Sequence, residues 1–179
     1  MKTRISQQHS LGFSLVETLV AISILLLVII VPLRIASQSI LSSAFSRQEM
    51  TAVFLAEEST EAIVRLRDND ALDGGSTTSW YSSLPATCKT STGCSYNVST
   101  GSFVSCSPTT SCDLYASTSG SSYYTHTSNG TTAVYNRKTV VTESPTGEYN
   151  VTSTVSWTAG VVSGVVSVAV TTRIYNQYE

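Results

Sequence analysis

Residues 13–33 read FSLVETLVAISILLLVIIVPL, the longest apolar run in the chain. A helix that crosses a membrane needs about 20 predominantly apolar residues, so these 21 residues predict a membrane-spanning helix. Lys2 and Arg4 lie just before the run, and the positive-inside bias therefore predicts a cytoplasmic N-terminus. Glu17 is the one ionisable residue in the run. A charged side chain at the centre of a membrane helix costs about 3 kcal/mol of insertion free energy, so a residue such as Glu17 is expected to have a function.

The twelve residues before this run, MKTRISQQHSLG, are polar and weakly basic. A secretory signal peptide has its small-residue cleavage site after the apolar region. In this chain the small residue that fits a processing site is Gly12, which precedes the apolar region. Cleavage at Gly12 would leave the membrane segment on the mature chain. Without cleavage, the segment would be an ordinary signal anchor that keeps Lys2 and Arg4.

The junction between these two segments resembles the class III leader of type IV pilins and of the pseudopilins of type II secretion systems. Their motif is a glycine, a phenylalanine, three mostly apolar positions and a glutamate, and GFSLVE at residues 12–17 fits it throughout. The resemblance implies that a prepilin peptidase cleaves after Gly12 and methylates the new amine of Phe13. Methylation keeps the positive charge of that amine. The resemblance also implies that Glu17 meets the N-terminal amine of an adjacent subunit in a filament.

Within that family, the chain looks most like a minor pilin or minor pseudopilin, which is a structural subunit and not an enzyme. The resemblance implies other pilin subunits, the prepilin peptidase and, before assembly, the membrane as partners. The chain would cross the cytoplasmic membrane once, with its N-terminus inside, and later join an extracellular filament or the cell surface. Motility, adhesion, DNA uptake and secretion all stay open. The competing function is a monomeric membrane-anchored adhesin or binding module.

Residues 34–71 are predicted to continue the helix as an amphipathic segment. Eight positions spaced alternately by four and three residues form a stripe, and six of them are apolar. These positions are Leu41, Phe45, Gln48, Ala52, Leu55, Ser59, Ala62 and Leu66. The other side carries charges such as Glu61 and Arg65, which have the favourable i, i+4 order. Gly74 and Gly75 follow an Asp-Asn-Asp run and predict the end of the helix.

Residues 72–130 have the composition of a loop region. From Ser76 to Thr132, 29 of 57 residues are Ser or Thr, and few large apolar residues are available for a core. All the cysteines of the chain lie here, at Cys88, Cys94, Cys106 and Cys112.

The cysteine spacing favours disulfides over a metal site. Five residues separate the members of each close pair, whereas zinc knuckles use two to four. Of the three possible connectivities, we favour Cys88 with Cys94 and Cys106 with Cys112, although nested pairing also fits the spacing. Major pilins often enclose their last strands in a disulfide loop. The cysteines here precede those strands, which weakens the resemblance to a major pilin.

Residues 131–179 are predicted to form an antiparallel β-sheet. Apolar residues alternate with polar ones from Tyr149 to Trp157 and again from Val166 to Ile174. A third strand is expected at residues 133–143. Three consecutive strands with short turns imply a meander. One face of the meander would cover the helix stripe, so the predicted fold is α+β: a long N-terminal helix packed on a C-terminal antiparallel meander.

The net charge and the residue composition argue against catalysis and against a broad nucleic-acid interface. Loss of Lys2 and Arg4 with the leader would leave 8 basic and 12 acidic residues, so no basic surface is expected. A narrow DNA-contact strip at a filament tip stays open, because some pilin-like proteins serve DNA uptake. His126 would be the one histidine of the mature chain and is expected in a solvated loop. We predict no catalytic residues, no metal and no cofactor.

Overall fold

The computed structural model describes residues 12, 14–72, 80–107, 112–117, 123–128, 132–144, 147–160 and 164–175. Residues 1–11 of the predicted leader lie outside the described residues, and so does Phe13 with its predicted cleavage and methylation. The chain divides after Ala44 into two units. The second unit, from Phe45 onward, contains the sheet and is called the head below.

Helix α1 runs from Leu15 to Leu72, a length of 58 residues. It therefore includes both the predicted apolar segment and its predicted amphipathic continuation. Leu, Ile, Ala and Glu, which favour helices, make up much of this stretch. Ser14 begins the helix as a cap, because its Oγ accepts a hydrogen bond from the backbone N–H of Glu17 at 3.3 Å.

The predicted stripe on α1 is confirmed for the part that belongs to the head. Ala52, Leu55, Ser59 and Ala62 are buried, and Phe45, Gln48 and Leu66 are half-buried. Leu41 does not belong to the stripe, because it lies before Phe45 and is 48% exposed. The contact with the sheet begins at Phe45, whose ring centroid lies 6.2 Å from that of Trp157.

Three long strands form the predicted antiparallel meander. They are β5 (Tyr135–Ser144), β6 (Glu148–Thr158) and β7 (Val165–Tyr175). In the register of β5 with β6, Val141 faces Val151, and in that of β6 with β7, Val155 faces Val168. Alternate residues of β6 are buried, as the period of two predicts. The α+β prediction is confirmed: a long helix packs on a C-terminal antiparallel sheet.

Four shorter strands precede the meander, in the region whose composition predicted a loop. They are β1 (Cys94–Asn97), β2 (Ser102–Ser105), β3 (Asp113–Ala116) and β4 (Tyr124–Thr125). A short helix, α2 (Trp80–Ser83), and a 3-10 turn (Ala86–Lys89) come before them. β1 and β3 both pair with β5, so the sheet has seven strands.

The few large apolar residues of this region contribute to the core of the head. Trp80, Leu84 and Leu114 are at most 4% exposed. Each packs into a cluster completed by α1 and the meander. One cluster includes Ile63 and Tyr149. Long-range packing of this kind leaves no periodic pattern in a Ser/Thr-rich sequence.

Both disulfides are local. Cys88 is bonded to Cys94 and Cys106 to Cys112, with Cα–Cα distances of 4.7 and 5.2 Å. Gly93 lies within the loop closed by Cys88 and Cys94, and it has a positive φ of 79°. A Cβ at this position would overlap the side chain of Lys138, so glycine is required here for two reasons.

Candidate functional site: the exposed apolar helix

The start of α1 presents the motif residues to solvent. Gly12 and Glu17 are both exposed. Ser14 and Glu17 have the spacing of a capping box, in which a serine cap is followed three residues later by a glutamate. A carboxylate in the first turn is also stabilised by the helix dipole. The observed cap is the Ser14 side chain, which accepts from the backbone N–H of residue 17.

The first part of α1 exposes large apolar side chains on every face. Their exposed fractions run from 47% at Ile30 to 80% at Leu15. They are Leu15, Val16, Leu19, Val20, Ile22, Ile24, Leu25, Leu26, Leu27, Val28, Ile29, Ile30, Val31, Leu33, Ile35, Ile40 and Leu41. A soluble monomer rarely exposes more than a few hundred Å² of continuous apolar surface. A larger exposed apolar patch of this kind is typical of a membrane or protein interaction site.

The same helix has the length and composition to cross a membrane. Its most apolar 18-residue window has a mean hydropathy of 2.8, and no residue of that window is buried. A helix that is apolar all round is typical of a membrane span or of the centre of a large assembly. A signal sequence near an N-terminus passes the same test of length and composition.

The head contains a buried cation that sequence reasoning missed. The side chain of Arg137 is 1% exposed. Its Nη1 donates to the carbonyl of Leu55 at 2.9 Å and to Oε2 of Glu58 at 2.5 Å. Its Nε donates to Oγ of Ser95 at 3.1 Å, and its Nη2 donates to the carbonyl of Tyr96. We call this set the Arg137 clamp; it ties α1 and β1 to β5.

Burial lowers the pKa of Arg137, while the hydrogen bond and charge of Glu58 oppose that shift. An arginine keeps its charge under these conditions, so the clamp pairs a buried guanidinium with a carboxylate whose side chain is 38% exposed. Arg137 occupies an inward position of β5, between Tyr135 and Thr139. The feature of the sequence that could have indicated this cluster is an arginine at a position of the strand that faces the core.

A chain of hydroxyl groups makes a second polar contact between helix and sheet. The Oγ of Ser59 and the Oγ1 of Thr139 are 2.7 Å apart, and Thr139 donates to the Oγ of Ser153 at 3.2 Å. All three residues are fully buried. Ser59, one of the two polar residues in the predicted stripe, thus has a partner on the sheet.

Two hollows in the described part of the head are poor in charged side chains. These open hollows of about 400 and 410 Å³ each have a single charged side chain in their lining, Arg65 in one and Asp113 in the other. Among the described residues, no group of His, Cys, Asp and Glu is placed to hold a metal ion.

The structure places the predicted site residues in two separate groups. Gly12 and Glu17 lie at the start of α1, whereas the four cysteines lie in the head as two disulfides. The predicted partner of Glu17, the amine of Phe13, is outside the described residues. No family model, no curated protein and no solved structure matches this chain.

Proposed function

We propose that this chain is a minor pilin-like structural subunit of a type IV pilus or a related extracellular filament, processed after Gly12 by a prepilin peptidase. One observation carries the proposal: the first part of α1 is apolar and exposed on all sides, and its single carboxylate, Glu17, lies five residues after Gly12. The head completes its own core. The helix surface is therefore left for an external partner.

Under the proposed function, that surface is covered first by lipid and later by other subunits. Before assembly, lipid covers it, and the chain crosses the cytoplasmic membrane once with its N-terminus inside. After assembly, the corresponding helices of other pilin subunits cover it in an extracellular filament. The carboxylate of Glu17 costs about 3 kcal/mol in lipid and is neutralised by an N-terminal amine in the filament. The chain acts through assembly and carries out no reaction.

Processing is tested by mass spectrometry of the N-terminus of filament-bound protein. We expect the mature chain to begin at Phe13. We expect Gly12→Val to give a longer, membrane-bound precursor that never enters filaments, because a peptidase pocket shaped for glycine excludes larger side chains. An intact Met1 on filament-bound protein would contradict the proposal. An intact Met1 on protein found only in the membrane would favour the monomeric anchored adhesin.

Assembly is tested with Glu17→Gln, which removes the charge and keeps the size. We expect normal cleavage and membrane level, with loss from the sheared filament fraction. The reason is that an amine buried without its counter-charge costs about 3–5 kcal/mol. Glu57→Gln is the matched control, because it removes an exposed carboxylate from the head part of the same helix. Wild-type incorporation of Glu17→Gln would reject the pairing and leave Glu17 as a peptidase recognition residue at most.

A further inference from the structure

One of the two hollows in the head lies between the later turns of α1 and the hairpin of β1 and β2. Arg65 and Asn69, one helical turn apart, belong to the wall that α1 supplies. Tyr96, Ser102 and Phe103 belong to the wall that the hairpin supplies. The volume of about 400 Å³ is within the range of about 300–1,000 Å³ that is usual for small-molecule sites. We call this place the Arg65 hollow.

Tyr96 and Phe103 give the hollow an aromatic wall. The two residues are directly opposite in the register of β1 with β2, and their ring centroids are 5.3 Å apart. Opposite residues of an antiparallel pair point to the same face, so both rings lie on one side of the hairpin. Both residues are half-buried. Because the face of an aromatic ring is slightly negative, this wall suits a ligand that presents C–H groups.

The aromatic wall is fixed to the core of the head. The carbonyl of Tyr96 accepts a hydrogen bond from Nη2 of Arg137, and Phe103 packs against the cluster that contains Ile63. The expectation of a solvated His126 is wrong, because His126 is half-buried and its Nε2 lies 3.3 Å from that same carbonyl. A site that is ordered before its ligand arrives loses less free energy to ordering when the ligand binds.

Arg65 is the one charged side chain among the described residues that line the hollow. Its Nη2 lies 3.6 Å from Oε2 of Glu61, and the two side chains are 76% and 68% exposed. An exposed ion pair of this kind contributes little to stability, so a ligand carboxylate can take the place of Glu61. A guanidinium binds a carboxylate through two parallel hydrogen bonds. The amide of Asn69 and the hydroxyl of Ser102 can bond to hydroxyl groups.

We propose that the Arg65 hollow binds an acidic saccharide, a sugar ring that carries one carboxylate. The C–H groups of the ring lie against Tyr96 and Phe103, and the carboxylate pairs with Arg65. A nucleotide or another polyanion fits less well, because the described lining offers one cation and the chain has a net charge of −2. The site goes beyond the proposed assembly function, since it concerns the head alone and holds whether or not the chain enters a filament.

The test is an NMR titration of the full chain in detergent micelles, in which the ring resonances of Tyr96 and Phe103 are followed. The probes are D-galacturonate and D-galactose, which differ in that the first carries a carboxylate where the second carries a hydroxymethyl group. We expect galacturonate to bind about tenfold more tightly, because a hydrogen bond to a charged group is stronger than one to a neutral group.

The source of the saccharide is tested with trigalacturonate in the same titration. A trimer that binds more tightly than galacturonate supports a unit of a polysaccharide as the ligand, and a trimer that binds more weakly supports a free sugar acid. Acetate tests whether the sugar ring is recognised at all. Acetate that shifts the two ring resonances as far as galacturonate does would overturn the proposal.

Two variants test the named residues. Arg65→Gln should reduce the affinity for galacturonate to that for galactose, whereas Arg47→Gln should bind both sugars as the wild type does. Arg47 is the matched control, because it is an exposed arginine of the same helix outside the hollow. Phe103→Leu should weaken the binding of both sugars. Equal affinities for the two sugars in the wild type would overturn the proposal, and so would an unchanged preference in Arg65→Gln. These two measurements decide the matter even if Phe103→Leu fails to fold.

Discussion

Helix α1 has two different surroundings along one continuous element. From residue 15 to residue 44 none of its residues is buried, although most of the large apolar side chains of the helix lie there. Its buried residues lie between Ala52 and Ile63, and most of them are small. They are Ala52, Leu55, Ala56, Ser59, Thr60, Ala62 and Ile63.

The comparison shows that side-chain size and hydrophobicity do not decide burial within this chain. Small residues are buried where the backbone of the helix approaches the sheet closely enough for Ser59 to reach Thr139. Large apolar residues stay exposed where no other described part of the chain packs against them. The second part of α1 is covered by the head.

The largest expected effect comes from placing a lysine in each part of the helix. Ile63→Lys puts an unpaired charge at a fully buried position, which should cost about 5 kcal/mol or more and unfold the head. Ile29→Lys, at a position 49% exposed, should leave the unfolding midpoint of the head unchanged. It should instead weaken membrane insertion by about 3 kcal/mol. Denaturant unfolding in micelles and membrane fractionation measure the two effects; a head destabilised equally by both variants would contradict the comparison.

A smaller effect is expected from the Arg137 clamp. Arg137→Ala leaves the carbonyls of Leu55 and Tyr96 without this donor. At about 1–3 kcal/mol for each buried acceptor left unpaired, it should cost about 2–6 kcal/mol in unfolding free energy. Arg173→Ala is the control, because its ion pair with Glu148 leaves 63% of the arginine side chain exposed. That change should cost less than about 1 kcal/mol. Equal unfolding midpoints for the two variants would mean that the clamp does not join helix to sheet.

The smallest effect is expected from two serines on the same helix. Ser59→Ala removes the buried hydroxyl that meets Thr139 and should cost about 1–3 kcal/mol. Ser37→Ala removes an exposed hydroxyl that bonds back to the carbonyl of Leu33. Its cost should be near zero, because alanine favours the helix by up to about 0.5 kcal/mol. Thermal unfolding of the two variants measures the difference, and a Ser37→Ala loss as large as that of Ser59→Ala would contradict it.

Regular spacing explains which parts of the fold could be predicted. The apolar run, the stripe from Phe45 to Leu66 and the alternation from Tyr149 to Trp157 each repeat with the period of their element. Arg137 follows the inward phase of β5, but the clamp could not be predicted, because its partners lie on elements that only the folded sheet brings together. The strands between Cys94 and Thr125 were missed for the same reason. They are short, and their apolar residues are few and far apart.

The separation in sequence between contacting residues has a consequence for the order of folding. Each disulfide joins cysteines 6 positions apart, and β5, β6 and β7 pair with their neighbours in the chain. The helix meets the sheet across much longer distances, 80 residues from Ser59 to Thr139 and 82 from Leu55 to Arg137. Short loops close at a lower entropic cost than long ones, so we expect the sheet to form first and the helix to dock last. In a newly made chain, the start of α1 would be held in a membrane while residues 80–175 fold. The later turns of α1 would then pack on the sheet that these residues form.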